Sequence, residues 1–192
     1  MASKVDICNS AMRKIGAARI SDFTENSKEA ELCRDAYDII RRRLLRSNSW
    51  NFALKRANLA ETPGDPLNEW AHSFQLPTDC LKIVSTTNDP CRYVQEGRLI
   101  LTNEGTIGIK YVSDAELVNE FDPSFFEVLA FELAMDLCVP LTDSTTKLEV
   151  VQKMYAKFSG EALTNDAQDD VEQSYISDDT WLKSRGVGYA EV

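Results

Sequence analysis

The stretch DPSFFEVLAFELAMDLCVP, residues 122–140, sets the reading of the whole chain. Asp122 offers a side-chain oxygen for an N-cap, and Pro123 follows at the first helical position, where its missing N–H would go unpaired in any case. From Phe125 to Val139 the segment is apolar nearly all round, interrupted only by isolated acids such as Glu132 and Asp136. A helix with no polar side has to be enclosed by other elements. The stretch therefore predicts the central helix of a bundle over about 123–139, with Leu133 and Leu137 in the core and Pro140 ending it.

Working outward, a further helix is expected over about 145–173, with Leu148, Val151, Tyr155, Phe158 and Ala162 on one stripe. Upstream, Ser3 with Asp6 forms a capping-box pattern. Val5, Cys8, Met12 and Ile15 then share one face until Gly16, which predicts a short helix over about 3–16. The next helix, about 27–48, starts near Asn26 and carries Ala30, Cys33, Tyr37, Ile40 and Leu44 as its stripe, widened by Leu32, Ala36 and Ile39. Tyr37 is a core candidate. Early acids and late arginines on this helix suit its dipole, and Asp38 is placed to pair with Arg42.

Between about 51 and 113 the period changes to alternation. Leu81, Ile83 and Ser85 alternate with Lys82, Val84 and Thr86, and Arg92–Gln95 and Arg98–Thr102 flank Glu96-Gly97. A further alternating run, Thr106–Val112, follows Asn103-Glu104-Gly105. These are hairpin signals. The expected fold is α+β: a bundle of about four helices with one small antiparallel β-sheet inserted, and Trp50 and Phe52 anchoring the junction. Residues 1–174 form one domain, and residues 175–192, without helical or alternating period, form an extended C-terminal arm.

The chain has 192 residues and a net charge of −10, unevenly spread. Residues 1–60 hold 12 Lys/Arg against 7 Asp/Glu, whereas residues 61–192 hold 9 against 24. The basic run RRRLLRSNSWNFALKRA, from Arg41 to Ala57, places Arg41, Arg42, Arg43, Arg46, Lys55 and Arg56 together. No long apolar run reads as a signal peptide or membrane span. The five cysteines include no CxxC pair and read as buried thiols of a reducing compartment.

Chemical motifs are sparse. There is no GxxxxGK[ST], GxGxxG after a strand, GxSxG or HExxH, and the single histidine excludes a histidine-rich metal site. His72, Asp79 and Cys80 are the nearest approach to a base, orienter and nucleophile, but no glycine-rich segment beside them suggests an oxyanion hole. The acids between Asp166 and Glu172 lack the glycine and spacing of a calcium loop and read as a solvated helix end. No catalytic residue, metal site or cofactor is expected.

NSWNFALKRANLA, then LPTDCLKIV, then ELAMDLCVPLT and YAKFSGEALTNDAQ resemble the tail tubular protein A family, the head-to-tail adaptors of short-tailed bacteriophages. The N-terminal ICNSAMRKIGAARISDFTENSKEAELCRDAYDIIRRRLL fits the same pattern, so the resemblance covers roughly residues 3–170. One departure is Asn48-Ser49, where the family pattern has His-Pro before the tryptophan. The resemblance implies a structural virion protein, not an enzyme, made in the bacterial cytoplasm. It implies a ring, a dodecamer, between the portal protein and the tail nozzle protein, with DNA passing through its lumen as cargo and no membrane contact.

On that reading Arg41 to Arg56 meets acids of a neighbouring subunit or of the portal, because heterologous contacts around a ring pair unlike surfaces. Trp181 and Arg185 would anchor residues 175–192 as a docking arm, since tryptophan and arginine dominate interface energetics. The rival for the basic run is a DNA grip. The alternative for the whole chain is an acidic DNA mimic or another nucleic-acid-associated regulator, which would act as a monomer or dimer rather than as a large ring.

Overall fold

The computed structural model describes residues 3–64, 69–87 and 92–168. Among the described residues, four α-helices and two small three-stranded antiparallel sheets make a mixed α+β fold. Helix α1 spans Lys4–Ile15, with the Ser3–Asp6 capping box formed and Gly16 closing it in the left-handed region at φ 70°. Asn9, buried in this helix, both donates to and accepts from the backbone of Ile20 at 2.9 Å, which fixes the connection to the next helix. Helix α2, Lys28–Ser47, is capped by Ser27 rather than Asn26. Its stripe Ala30, Cys33, Tyr37, Ile40 and Leu44 is buried, whereas Ile39 is 69 % exposed and does not widen it.

Helix α3, Pro123–Thr142, is the hub onto which the other three helices pack, and Phe125, Leu129, Leu133 and Ala134 are wholly enclosed. Pro140 does not end it. The helix runs two residues further because one missing N–H near its end removes only one rung. The Thr142 hydroxyl donates to the Cys138 carbonyl at 2.7 Å, and Asp143, at φ 47°, closes the last turn onto Val139. Helix α4, Thr145–Gln168, lays Leu148, Val151, Tyr155, Phe158 and Ala162 against the core. Its expected continuation to residue 173 lies outside the described residues, as do the arm 175–192, Trp181 and Arg185.

The β insertion forms two sheets, not one. The first has strand order β1-β6-β3, from Leu54–Asn58, Gly108–Ser113 and Cys80–Thr86. The second has order β2-β5-β4, from His72–Gln75, Leu99–Thr102 and Tyr93–Glu96. The hairpin read at Glu96-Gly97 forms, with Gly97 at φ 58°. By contrast, Asn103–Gly105 carries the chain from one sheet to the other rather than closing a hairpin. Phe74 and Ile100 of the second sheet, with Leu76 just past β2, meet Ile109 and Tyr111 of the first in a small core of their own. The larger core joins the helices to Trp50, Ala53 and Val112.

The junction between the two parts is aromatic. Trp50 packs edge-on to Phe125 with ring centroids 5.2 Å apart, and Phe52 lies 5.0 Å from Phe125 and 5.6 Å from Phe121. Trp50 is buried and Phe52 half-buried. The 3-10 turn Asn51–Ala53 that carries Phe52 is tied to the end of α4, where Asn51 donates its side-chain amide to the Asp166 carbonyl at 2.6 Å.

Candidate functional site

The arginines at the end of α2 reach three places: Arg41 and Arg42 share Asp114, Arg43 reaches α3 and Arg46 reaches β3. Arg41 is fully buried: its guanidinium bonds Asp114 at 2.6 Å, contacts Asp38 at 3.4 Å and donates to the Ala115 carbonyl. Arg42 takes the second Asp114 oxygen at 2.8 Å, not Asp38 as the helix spacing suggested. Asp38 is used instead by Arg41 and Lys4. Arg43 pairs with Glu132 of α3 at 2.6 Å, and Tyr155 of α4 donates to the other oxygen of that carboxylate at 2.6 Å. Arg46 donates to the Leu81 carbonyl at the start of β3.

The run therefore acts first as a set of internal tethers, joining α2 to the segment after β6, to α3 and α4, and to β3. Its burial removes Arg41 from any surface role, so the expectation that Arg41 meets a partner is corrected. Arg42 and Arg43 remain more than half exposed and can still face a partner.

Beyond the helix the basic run crosses into β1. Lys55 pairs with Asp79 at 2.9 Å, and the Tyr111 hydroxyl donates to the other Asp79 oxygen at 3.1 Å. Burial alone would raise the Asp79 carboxyl, but the ammonium and hydroxyl outweigh it and hold its pKa below the ordinary 3.8. Tyr111 is pushed up to about 12, by burial first and by the facing carboxylate second. Arg56, on the next position of the strand, is exposed.

An open cavity of about 630 Å³ lies beside these groups. Arg42 and Lys55 line it with Asp79, Asp114, Glu116 and Glu120, and Phe52 and exposed Leu117 add apolar surface. Glu116 stands 4.0 Å from both Arg41 and Arg42. With two cations against four carboxylates, the lining suits a basic or amphipathic protein segment better than an anion. Among the described residues no three histidine, cysteine or acidic side chains are grouped so as to hold a metal ion.

The catalytic trio considered from sequence does not assemble. His72 pairs through Nδ1 with Glu61 at 2.6 Å on the second sheet, while Asp79 is committed to Lys55 and Tyr111. Cys80 is buried, and that burial raises its thiol pKa, the opposite of what an activated nucleophile requires. The three share no hydrogen bond. Cys8, Cys33, Cys80 and Cys138 are all free and buried, and Cys91 lies outside the described residues. Among the described residues no helix is long and apolar enough to cross a membrane.

Asp114 and Glu132, the acids that organise the arginines, were not legible as partners. Each stands many residues away from the charge it meets, and only the tertiary fold supplies the pairing. In comparisons with known proteins, no protein-family model matches the sequence, and no curated protein matches it either.

Proposed function

We propose that this chain is a structural head-to-tail adaptor of a short-tailed virus particle, a ring subunit that joins a portal to a tail nozzle and lets DNA pass. The observation that carries the reading is where the resembling motifs fall. Trp50-Asn51-Phe52-Ala53 forms the junction between helices and sheets, Leu76, Cys80 and Leu81 lead into β3, and Leu133 to Thr142 form the second half of the hub helix. Motifs scattered over the chain thus coincide with the places that fix one part of the molecule against another.

The charge supports the same reading. A lumen that gripped DNA with many lysines and arginines would hold a passing duplex in proportion to the phosphates neutralised. The strongest basic run of this chain instead spends most of its charge on its own acids, and the net charge of −10 repels DNA. The open, polar cavity beside Arg42 and Lys55 is a docking place for a partner segment.

The reading is tested by complementation. DNA-filled heads that lack this chain should not accept tails, and purified full chain added back should restore attachment. Heads that take tails equally well without it would dismiss the adaptor role.

A further inference from the structure

The register of the β1-β6-β3 sheet sorts its residues onto two faces, since opposed residues share a face and so do residues two apart. Tyr111, opposite Lys55 and Ile83, lies on the face turned to the second sheet. Val112, opposite Leu54 and Lys82, lies on the other face, where it closes against the helices. Farther along that outer face Arg56 stands opposite Lys110, with Lys82 on the diagonal. Arg56, Lys82 and Lys110 therefore form one basic row. Val84, 40 % exposed, sits beside it at the bulge in β3. Unlike Arg41, Arg42, Arg43 and Lys55, these three cations make no ion pair with another described residue.

A counterpart lies on α2. Glu31, Asp35 and Ile39 recur at four-residue spacing on the side opposite the buried stripe, and all three are exposed. Neither acid makes an ion pair with another described residue. Only the far end of α2 is tied to the first sheet, by Arg46 on Leu81, and Glu31 stands roughly 20 Å back along the helix from Arg46 at 1.5 Å per residue. The acidic strip and the basic row of one molecule are thus set apart. Each joins uncompensated charge of one sign to one exposed aliphatic side chain, as complementary protein surfaces do.

We propose that the strip Glu31, Asp35 and Ile39 of one copy docks on the row Arg56, Lys82 and Lys110 of the next. A contact between two different patches is heterologous, so it propagates head to tail and closes into a ring when the rotation divides a full turn. Closure into a ring rests on the adaptor reading; the contact itself rests on the register and the charges.

The test uses the full chain in three forms: unaltered, with Glu31→Lys and Asp35→Lys, and with Arg56→Glu, Lys82→Glu and Lys110→Glu. Light scattering after size exclusion at low salt should find the unaltered chain in assemblies and each reversed form at monomer mass with an unshifted melting temperature. An equimolar mixture of the two reversed forms should assemble again, because the basic strip of one then faces the acidic row of the other. Added salt should dissolve the assemblies by screening these exposed charges.

An unaltered chain that stays monomeric at its highest soluble concentration overturns the proposal. So does a reversed form that assembles alone, or a mixture that stays monomeric. Retardation of duplex DNA that is lost in the triple variant while its mass distribution stays unchanged would give the row to nucleic acid and also overturn it. Assembly that behaves as expected, with no restoration of tail attachment, would leave this contact standing and remove the adaptor reading.

Discussion

Trp50 shows how one residue carries two opposing terms. Its ring fills the junction between Phe52 and Phe125, yet its indole N–H is buried with no hydrogen-bond partner among the described residues. Truncating a buried aromatic costs about 3–5 kcal/mol, and an unpaired buried donor costs about 1–3 kcal/mol. Trp50→Ala should therefore lower the melting temperature sharply. Trp50→Phe, which keeps most of the ring and removes the orphan donor, should lose less than half as much. Equal losses in thermal unfolding would mean that the ring is not the anchor.

Asp79 supplies a pH-dependent counterpart. Because its folded pKa lies below the ordinary 3.8, the Lys55–Asp79 contact stabilises the fold above that value, and the contribution disappears as pH falls through the lowered pKa. Lys55→Met should flatten the acid limb of stability below pH 3.8, measured by urea unfolding at stepped pH. A slope identical to that of the unaltered chain would show that the pair contributes nothing to acid sensitivity.

Among the elements, those whose signal is local were readable and those whose signal is tertiary were not. The Ser3–Asp6 box, Gly16, Asp122-Pro123 and the stripe of α2 all act within a few residues, and helices stand where they point. Pro140 misled because proline is disfavoured inside a helix, but near the end of α3 it forfeits only one rung, and Thr142 and Asp143 still close the last turn onto Cys138 and Val139. The alternation of residues 51–113 revealed strands without revealing partners. Asn103–Gly105 has the composition of a hairpin turn, yet β6 pairs with β1 and β3 rather than with β5. Lys82 and Lys110 could not be placed in one row before that register was known, and the same gap hid the pairing of Arg41 and Arg42 with Asp114.

At the scale of the whole molecule, half of the twelve Lys/Arg of residues 1–60 are ion-paired within the fold: Lys4, Lys14, Arg41, Arg42, Arg43 and Lys55. Residues 176–192 lie outside the described residues, and their Trp181 and Arg185 belong to the adaptor reading as anchors of a docking arm. Deleting residues 176–192 should leave the melting temperature unchanged and abolish attachment to the portal; attachment that survives the deletion would refute the arm.

The central claim, that this chain is a ring subunit between portal and nozzle, is met most directly by imaging. Purified full chain mixed in excess with portal oligomers of the same virus should appear in averaged electron micrographs as a second ring, coaxial with the portal and open along the axis. Portal oligomers that remain bare under those conditions would contradict the account.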